Sequence, residues 1–388
     1  MGRQPRTLED LVIHSAFWLN RRVFLTGHTG FKGSWLSLML SRLNADTTGF
    51  ALAPVDGPSL YDLAGVAWTL TDMRGDIRQP DALAAAMGAA APEIVIHMAA
   101  QPLVKAGYAD PVGTFATNVM GTVNLLEAVR QTPSVRSVVV VTTDKCYAEA
   151  HAPQGYGEGD RLGGRDPYSS SKACAELVST AYRDSYFGAG RQVTVATARA
   201  GNVIGGGDFA DDRIVPDAVR AFARGEPLSV RNPGATRPWQ HVLDPLVGYL
   251  MLAERGYEDR SVAEGWNFGP RETGVRDVEA LVTRFMAEWG PGARWIPDRR
   301  THAHEAATLR LDSRKAFERL GWEPLLDFDE TVAWTARWYA AFAAGASVDG
   351  ITRDQVDAFL GQRVRLTSPF RPAETPAAIA SNQVRRSA

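Results

Sequence analysis

The feature that most restricts the fold of this chain is a run of three evenly spaced glycines, Gly27, Gly30 and Gly33. The run follows a β-prone segment, residues 22–26, and precedes a helical pattern over residues 33–43. A helix N-terminus offers unpaired N–H groups and partial positive charge, and glycines let a phosphate approach the backbone. The pattern therefore predicts a dinucleotide-binding loop rather than a plain tight turn, with contacts from Gly27, Thr29, Gly30, Phe31 and Lys32.

Strand and helix patterns alternate downstream of this loop. Strands are predicted at residues 22–26, 47–52, 93–97, 135–143 and 192–198, and helices at residues 33–43, 81–87, 118–130 and 170–186. Such alternation predicts an α/β chain with a Rossmann-type, doubly wound parallel sheet. From about residue 205 the pattern loosens into turn-rich pieces, which indicates a smaller C-terminal lobe that binds the substrate.

These patterns divide the chain into four segments. Residues 1–20 read as a lead-in segment with a helix that packs on the fold, and residues 21–204 as the cofactor-binding domain. Residues 205–362 are mainly the substrate-binding lobe, with an interleaved boundary. Residues 363–388 are rich in Pro, Ala and Ser, so we expect a disordered tail there.

Composition excludes several classes of protein. The 388 residues carry a net charge of −2, which gives no general attraction to nucleic acid or to an acidic membrane surface. No apolar run is long enough to span a bilayer. Cys146 and Cys174 form no disulfide framework, so we expect a reducing, cytoplasmic location. The seven histidines lack metal-binding spacing, and no catalytic metal is predicted.

Tyr168 and Lys172 lie four residues apart at the start of a predicted helix, and so on one helix face. The lysine can hold a ribose and lower the pKa of the phenol through its charge. The tyrosine can then take a proton from a substrate alcohol as hydride leaves. This spacing after a glycine loop predicts an alcohol-oxidising site, whereas an exposed helix start is the alternative.

The strongly β-branched strand over residues 135–143 ends at Thr143 and is followed directly by Asp144 and Lys145. An acid beside an amine supplies two proton carriers more than simple hydride transfer needs. The pair therefore fits a reaction that also breaks a C–O bond, although a solvated strand end is the alternative reading.

Further cofactor contacts are predicted where other strands end. Asp76, followed by Ile77, could accept a hydrogen bond from the adenine amine, or could be a turn carboxylate. The small residues Ala99 and Ala100, with Gln101, suit close packing against a dinucleotide. Asn118 opens a predicted helix, where N-capping is the alternative role.

NAD is favoured over NADP by an absence in the sequence. No Lys or Arg occurs between Arg42 and Arg74 to meet a 2′-phosphate. The acid expected about 20 residues past the loop for an NAD ribose is represented only by Asp56, beyond a proline.

Several segments, taken in order, resemble the extended short-chain dehydrogenase/reductase family and, within it, the 4,6-dehydratases that act on CDP-glucose. The resemblance covers about residues 16 to 340. It rests on His28–Trp35, His97–Pro102, Thr143–Tyr147, Asp166–Ser169, Arg199–Asp208, Arg237–His241 and Trp266–Pro270. Because many separate segments match, the similarity is specific, and it implies a deoxysugar pathway.

The resemblance implies a role for each catalytic candidate. Tyr168 would deprotonate the hexose 4-hydroxyl while hydride moves from C4 to NAD, with Thr143 hydrogen-bonded to that hydroxyl. The 4-ketone acidifies C5, and Lys145 as base and Asp144 as acid would eliminate water across C5 and C6. Hydride would then return to C6 and C5 would be reprotonated, so that NAD is not consumed. Lys145 must spend time neutral for this, by burial or beside a cation such as Lys172.

The substrate-binding candidates lie in the later part of the chain. Asn202 could meet the diphosphate, or form a turn. Arg213, Arg231 and Arg237 carry guanidinium groups that suit a diphosphate, and the resemblance favours Arg237. His241 is expected to line the nucleotide pocket, together with His304 and Glu305, although a structural histidine is an equal alternative.

Alternatives of other kinds remain at this stage. A sugar-nucleotide epimerase would keep Tyr168 and Lys172 but would not need an Asp-Lys pair. A UDP-sugar dehydratase that inverts C5 could use the pair. A non-catalytic NAD-binding regulator would be expected to have lost the Tyr or the Lys. The expected partners are a nucleotide sugar such as CDP-glucose and further copies of the chain, as a homo-oligomer.

Overall fold

The structure, a computed structural model, describes residues 13–150, 154–188, 191–298 and 310–365. The strands within these ranges are β1 (Ile13–His14), β2 (Arg22–Thr26), β3 (Asp46–Ala51), β4 (Thr71–Arg74), β5 (Ile94–His97), β6 (Ser137–Val141), β7 (Thr194–Ala200), β8 (Val203–Ile204), β9 (Leu228–Val230), β10 (Thr236–Pro238), β11 (Gln240–His241), β12 (Gly265–Phe268), β13 (Val275–Asp277), β14 (Trp295–Pro297) and β15 (Val364–Arg365).

The α-helices are α1 (Ser15–Trp18), α2 (Phe31–Arg42), α3 (Leu60–Leu63), α4 (Pro80–Ala90), α5 (Val104–Ala109), α6 (Pro111–Phe115), α7 (Gly121–Gln131), α8 (Pro167–Tyr186), α9 (Ile214–Ala223), α10 (Leu243–Glu258), α11 (Val278–Trp289), α12 (Phe328–Ala343) and α13 (Asp349–Arg363). Short 3-10 or π turns lie at Val66–Thr69, Ala116–Met120, Asp144–Cys146, Arg260–Val262, Glu272–Gly274 and Ala316–Leu320. Within the described ranges, no helix is both long and apolar enough to cross a bilayer.

Seven strands form one parallel sheet in the order β12-β7-β6-β5-β2-β3-β4. The prediction of a doubly wound, Rossmann-type parallel sheet is therefore confirmed. The edge strand β12 comes from the C-terminal half, so the two halves of the chain share this sheet. Two-stranded ladders, β8 with β11, β9 with β14 and β10 with β13, build the structure beyond its carboxyl edge.

Apolar layers cover both faces of the sheet. On β6, Val139 and Val141 belong to one layer with α2 and α10, whereas Val138 and Val140 belong to the other with α4 and α7. Successive side chains of a strand point to opposite faces, so a continuous run of valines supplies both layers. This burial fixes the strand ends that carry the site.

The lead-in segment differs from the prediction. The described part is a strand, Ile13–His14, followed by a single helical turn, Ser15–Trp18, and residues 1–12 lie outside the described ranges. β1 pairs with β15, so the predicted tail contains ordered backbone at residues 363–365, and its remainder lies outside the described residues. The buried Trp18 indole donates to Glu254 at 3.0 Å, which anchors the turn.

The helix predicted to open at Asn118 begins seven residues earlier, at Pro111. Asp110 caps it by accepting from the Gly113 N–H at 2.8 Å, and Pro111 suits the first helical position. The helix runs on through a π turn over Ala116–Met120 into α7. N-capping is therefore the wrong explanation for Asn118.

Candidate active site

One cleft of about 1110 Å³ brings most of the predicted site residues together. It lies at the carboxyl ends of β2, β5 and β6, where doubly wound sheets bind their ligands. The predicted residues that line it are Gly27, Thr29, Gly30, Phe31, Lys32, Asp76, Ile77, Ala99, Ala100, Gln101, Thr143, Asp144, Lys145, Tyr168, Lys172, Asn202, Arg213, Arg231 and Arg237. Asn118 and His241 are not among its lining residues.

The glycine loop leaves space for a ligand close to its backbone. Gly27 has a φ of +80°, and a Cβ there would lie 2.7 Å from the Ala99 backbone nitrogen. A Cβ on Gly33 would lie 2.1 Å from the Gly27 carbonyl oxygen. α2 begins directly after Gly30 with no side-chain cap, so its first N–H groups face the cleft region unpaired. This geometry fits a dinucleotide diphosphate.

Two buried contacts hold the loop in place. Thr26 Oγ1 lies 2.7 Å from His97 Nδ1, and it accepts from the Met98 N–H at 3.1 Å. His28 Nε2 lies 2.8 Å from Asp72 Oδ1, on β4. Burial lowers the pKa of His97 to about 3, so His97 is neutral and structural. The loop is therefore held to the adjacent strand β5 on one side and to β4, two strands away, on the other.

Asn118 supports the cofactor cleft from behind. Its amide oxygen accepts from the Gln101 N–H at 2.8 Å, and its amide nitrogen donates to the Gln101 carbonyl at 3.0 Å. The same nitrogen donates to Ser171 Oγ at 2.9 Å on α8. Asn118 thus ties the segment after β5 to the catalytic helix, and positions cleft residues without lining the cleft itself.

The adenosine end contains an ion pair that sequence reasoning missed. Asp76 lines the cleft, but its carboxylate accepts from the Arg78 guanidinium, at 2.6 Å from Nη2 and 2.9 Å from Nε. That contact lowers the pKa of Asp76. The spacing Asp76-Ile77-Arg78 was the available signal. Arg74, in contrast, pairs with Asp72 at 2.8 Å and does not line the cleft.

Tyr168 and Lys172 lie in the first turns of α8 and point into the cleft as predicted. Lys172 Nζ donates to the Val141 carbonyl at 3.0 Å, which fixes it against the end of β6. Burial lowers the pKa of Lys172 to about 8. Burial raises the pKa of Tyr168 to about 12, against an opposing hydrogen bond with Thr143. The expected lowering of the Tyr168 pKa by Lys172 is therefore wrong for the protein alone.

Asp144 is a buried carboxyl group just past the end of β6. Its side chain is 3% exposed, and Oδ1 accepts from the Thr143 hydroxyl at 3.0 Å. Oδ2 is buried without a hydrogen-bond partner among the described residues, and a Cβ on Gly201 would lie 2.3 Å from it. Burial raises the pKa of Asp144, against the charges of Lys145 and Arg237.

Lys145 shares a one-turn 3-10 helix with Asp144, over Asp144–Cys146. The Thr143 hydroxyl caps that turn by accepting from the Lys145 N–H at 3.4 Å. Lys145 is partly buried and lines the cleft, whereas Cys146 points into the core. The turn therefore presents an acid and an amine together beside Tyr168.

A buried network that the sequence analysis missed underlies this turn. Glu176, one helical turn after Lys172, accepts from Thr142 at 2.5 Å and from Arg199 Nη2 at 2.7 Å. Arg199 also donates to the Tyr147 hydroxyl at 2.7 Å, just past the turn. Burial raises the pKa of Glu176, but contact with Arg199 outweighs it and lowers the pKa overall. The network links α8, β6 and β7 on the protein side of the cleft.

The substrate candidates differ in how they are held. Arg237 is 3% exposed and donates to the Thr236 carbonyl at 2.9 Å, and its charge acts on Asp144. Arg213 pairs with Asp208 at 2.7 Å. Arg231 is exposed at the rim, 3.9 Å from Asp212. The charge of Arg237 therefore acts on Asp144, and that of Arg213 acts on Tyr168.

His241 does not belong to the cleft, which corrects its assignment to the substrate. It is fully buried, and its ring packs edge-on against Trp35 and Trp334, with centroids 6.1 and 5.6 Å away. Burial lowers its pKa to about 3, so it is a neutral core residue. The other two candidates, His304 and Glu305, lie outside the described residues. In the part of the chain that is described, no cluster of His, Cys, Asp and Glu could hold a metal ion.

Comparison with known proteins shows the family. The sequence model described as GDP-mannose 4,6 dehydratase matches residues 24–335. The chain belongs to this family. It is also 44% identical, over 91% of its length and all of the relative's, to a CDP-glucose 4,6-dehydratase of Salmonella typhimurium. A dTDP-glucose 4,6-dehydratase of Streptomyces antibioticus is 30% identical over 82% of this chain and 92% of the relative.

A solved structure agrees with this family. The dTDP-glucose 4,6-dehydratase DesIV from Streptomyces venezuelae, crystallised with NAD bound, superimposes with a TM-score of 0.71 at 25% identity. The match covers 84% of this chain and 98% of DesIV. The resemblance to the extended short-chain dehydrogenase/reductase family is therefore confirmed.

Proposed function

We propose that this protein is an NAD-dependent hydro-lyase that converts CDP-D-glucose to CDP-4-dehydro-6-deoxy-D-glucose. The observation that carries the proposal is the turn that presents Asp144 and Lys145 beside Tyr168 in one cleft. Oxidation of an alcohol needs only the tyrosine, whereas elimination of water needs an acid and a base as well. The 44% identity to a CDP-glucose 4,6-dehydratase over 91% of the chain supports the choice of substrate.

NAD fits the cleft because the glycine loop leaves backbone N–H groups free at the start of α2 and Gly27 has no space for a side chain. Gly27, Thr29, Gly30 and Phe31 would hold the diphosphate, and Lys172 a ribose. The chemistry supplied by bound NAD is hydride uptake from C4 of the hexose and its return to C6. NAD is proposed over NADP because the wall over residues 51–56 offers no cation.

Tyr168 acts first, on the hexose 4-hydroxyl. It is buried in the cleft wall, and its phenol hydrogen-bonds to Thr143. With a pKa of about 12 the free protein holds it as a phenol, so the charged nicotinamide and Lys172 must favour its anion before it can act as a base. The 4-ketone that results makes the C5 proton acidic.

Asp144 and Lys145 then remove water. Lys145 takes the C5 proton, the C6–O bond breaks, and Asp144 gives its proton to the departing hydroxyl, which leaves as water. The raised pKa of Asp144 suits this donor role, because the carboxyl group must carry a proton near neutral pH. Arg213 and Arg237 would hold the substrate diphosphate, and Asn202 would add an amide.

The direct test is mass spectrometry of the nucleotide sugar after incubation of the purified protein with NAD and CDP-glucose. Loss of one water with no net NADH is expected. If only UDP-glucose or dTDP-glucose loses water, the assignment of cytosine as the nucleobase is overturned, but the dehydration reaction is kept. No loss from any nucleotide sugar would overturn the proposal.

Lys145→Ala sharpens that test. The variant should still bind NAD and oxidise C4, but without its base it cannot remove the C5 proton. NADH should therefore accumulate up to one equivalent per active site, measured by its absorbance. If Lys145→Ala removes water from the substrate as fast as the wild type does, the role of Lys145 as the base is contradicted.

We also propose that the enzyme is a cytoplasmic homo-oligomer. Support for the location comes from Cys146 and Cys174, which are free thiols. Support for association comes from exposed apolar side chains on the packed helices α5, α6 and α8 and the adjoining π turn, namely Tyr108, Val112, Phe115, Met120 and Leu177. Light scattering after size-exclusion chromatography should give a multiple of the 42.1 kDa chain mass, and a monomer would contradict it.

A further inference from the structure

Lys32 is the cationic residue of the glycine loop. It is the second residue of α2, is partly buried and lines the cleft. The preceding Phe31 ring reaches to 3.5 Å from where a Cβ on Gly205 would stand, so the first turn of α2 borders the 201–208 segment.

The charges that act on Lys32 identify its surroundings. They belong to Arg213, Asp144, Lys172 and Asp208, all from the catalytic turn, the catalytic helix and the substrate-side segment. The Lys32 side chain therefore lies at the junction of the catalytic and substrate-binding groups.

No group in the described residues neutralises this lysine directly. Of the two nearby acids, Asp208 pairs with Arg213 at 2.7 Å, and Asp144 accepts from Thr143. In the described ranges Lys32 makes neither a hydrogen bond nor an ion pair within 4 Å. Burial, together with a smaller effect of the Arg213 charge, lowers its pKa to about 8. A partly buried lysine that lines a cleft without a protein partner is suited to bind an anionic or oxygen-rich ligand.

We propose that Lys32 binds the β-phosphate of the sugar-nucleotide substrate, the phosphate that carries the hexose, and not the diphosphate of NAD. This inference rests on the proposed function, since it assigns a contact of that substrate. It differs from the expectation of the sequence analysis that Lys32 serves the cofactor.

Two observations favour the substrate over the cofactor. The backbone N–H groups at the start of α2 can hold the dinucleotide diphosphate without a side chain. Lys32 instead shares its electrostatic environment with Arg213, a cation of the substrate-side segment. Lys32, Arg213 and Arg237 come from separate elements, and together they can balance the charge of the substrate diphosphate. The N-terminus of α2 alone cannot do this for both NAD and the sugar nucleotide.

The test compares Lys32→Met and Lys32→Arg with wild type by isothermal titration calorimetry. The probes are NAD, and then CDP and CMP added to the NAD-loaded protein. Lys32→Met should weaken CDP by about tenfold or more, because a charge-assisted hydrogen bond is lost. CMP, which lacks the β-phosphate, and NAD should each change by less than about threefold. Lys32→Arg, which keeps the charge, should bind CDP within about threefold of wild type.

Lys105→Met is the matched control. Lys105 also borders the 201–213 segment, through a pair with Asp212 at 3.1 Å, but its side chain is 76% exposed. The control should leave all three affinities unchanged. If Lys32→Met weakens NAD and leaves CDP intact, or weakens CDP and CMP equally, the assignment is overturned. Unchanged binding of all three probes overturns it too.

The proposed function can fail separately. If wild type binds but does not dehydrate CDP-glucose, the function fails in the wild-type assay alone. If UDP or dTDP binds in place of CDP, the same variants are tested with the corresponding di- and monophosphates. Only the difference between di- and monophosphate in Lys32→Met decides the role of Lys32.

Discussion

The position of the Asp144 side chain depends on a glycine at residue 201. A Cβ on Gly201 would stand 2.3 Å from Asp144 Oδ2, closer than any non-bonded contact allows. Because the carboxyl group is buried between β6 and the 201–208 segment, it could not move aside without leaving the cleft.

Gly201→Ala should therefore slow water loss by about 100-fold, the range lost when a general acid is misplaced, while NAD affinity stays close to wild type. Rates of product formation and NAD titration check both parts. Gly88→Ala is the control, since nothing lies within 4 Å of a Cβ there in helix α4. It should keep full activity and gain about 0.5–1 kcal/mol of stability. Unchanged catalysis in Gly201→Ala would contradict the assigned position of Asp144.

His241 shows why residue identity alone could not decide a role. The sequence places it two residues after the tight Arg237-Pro238-Trp239 segment, which does reach the cleft. Only the packing of Trp35 and Trp334 shows that its ring is enclosed in the core. Its folded pKa, about 3, lies below the ordinary 6.5, so its contribution to stability is present above about pH 6.5 and is lost as pH falls towards 3.

His241→Phe replaces the imidazole with a ring that does not titrate, and so removes this loss of stability at low pH. Lowering the pH from 7 to 5 should cost wild type about 2 kcal/mol more of its free energy of unfolding than the variant. Urea denaturation at both pH values measures the difference. An equal loss in both proteins would show that His241 is not buried in its neutral form.

At the scale of elements, the catalytic turn is held by the Glu176–Arg199 pair between α8 and β7. The Glu176 side chain is 2% exposed and the Arg199 side chain is 5% exposed. Removing one partner of such a pair leaves a buried charge without compensation, whereas removing both does not. Glu176→Gln or Arg199→Met alone should therefore cost about 3–5 kcal/mol of stability, and the double variant less than their sum. Chemical denaturation of the four proteins decides it, and additive costs would refute the coupling.

Elements with a regular local pattern were predictable from the sequence, whereas those decided by a single cap or a single ion pair were not. The glycine loop and the Tyr168–Lys172 face follow from local spacing, and the five predicted strands are present with ends shifted by a few residues. The helix around Asn118 was misplaced because the cap at Asp110-Pro111 and a π turn extend it backwards. Asp76 was seen without Arg78 because a two-residue ion pair has no periodic pattern.

At the scale of the whole molecule, the site depends on a late segment of the chain that joins the seven-stranded sheet. Gly265–Phe268 forms the edge strand β12, and Asn267 in it accepts at 2.7 Å from the Tyr147 hydroxyl, just past the catalytic turn. The parallel sheet was predictable from alternation, but this return was not, because a four-residue strand gives little signal. Nor could the sequence reveal the raised pKa of Asp144, since that depends on burial by both halves of the chain.

The central claim is that one cleft oxidises C4, removes water and reduces C6 without releasing the cofactor. Its most direct test is incubation of the full-length protein and NAD with CDP-glucose that carries deuterium at C4, followed by NMR of the product. The predicted product is a 4-keto-6-deoxy sugar that carries the deuterium at C6, with no deuterium left on NAD. Deuterium retained at C4, or found on free NADH, would contradict the claim.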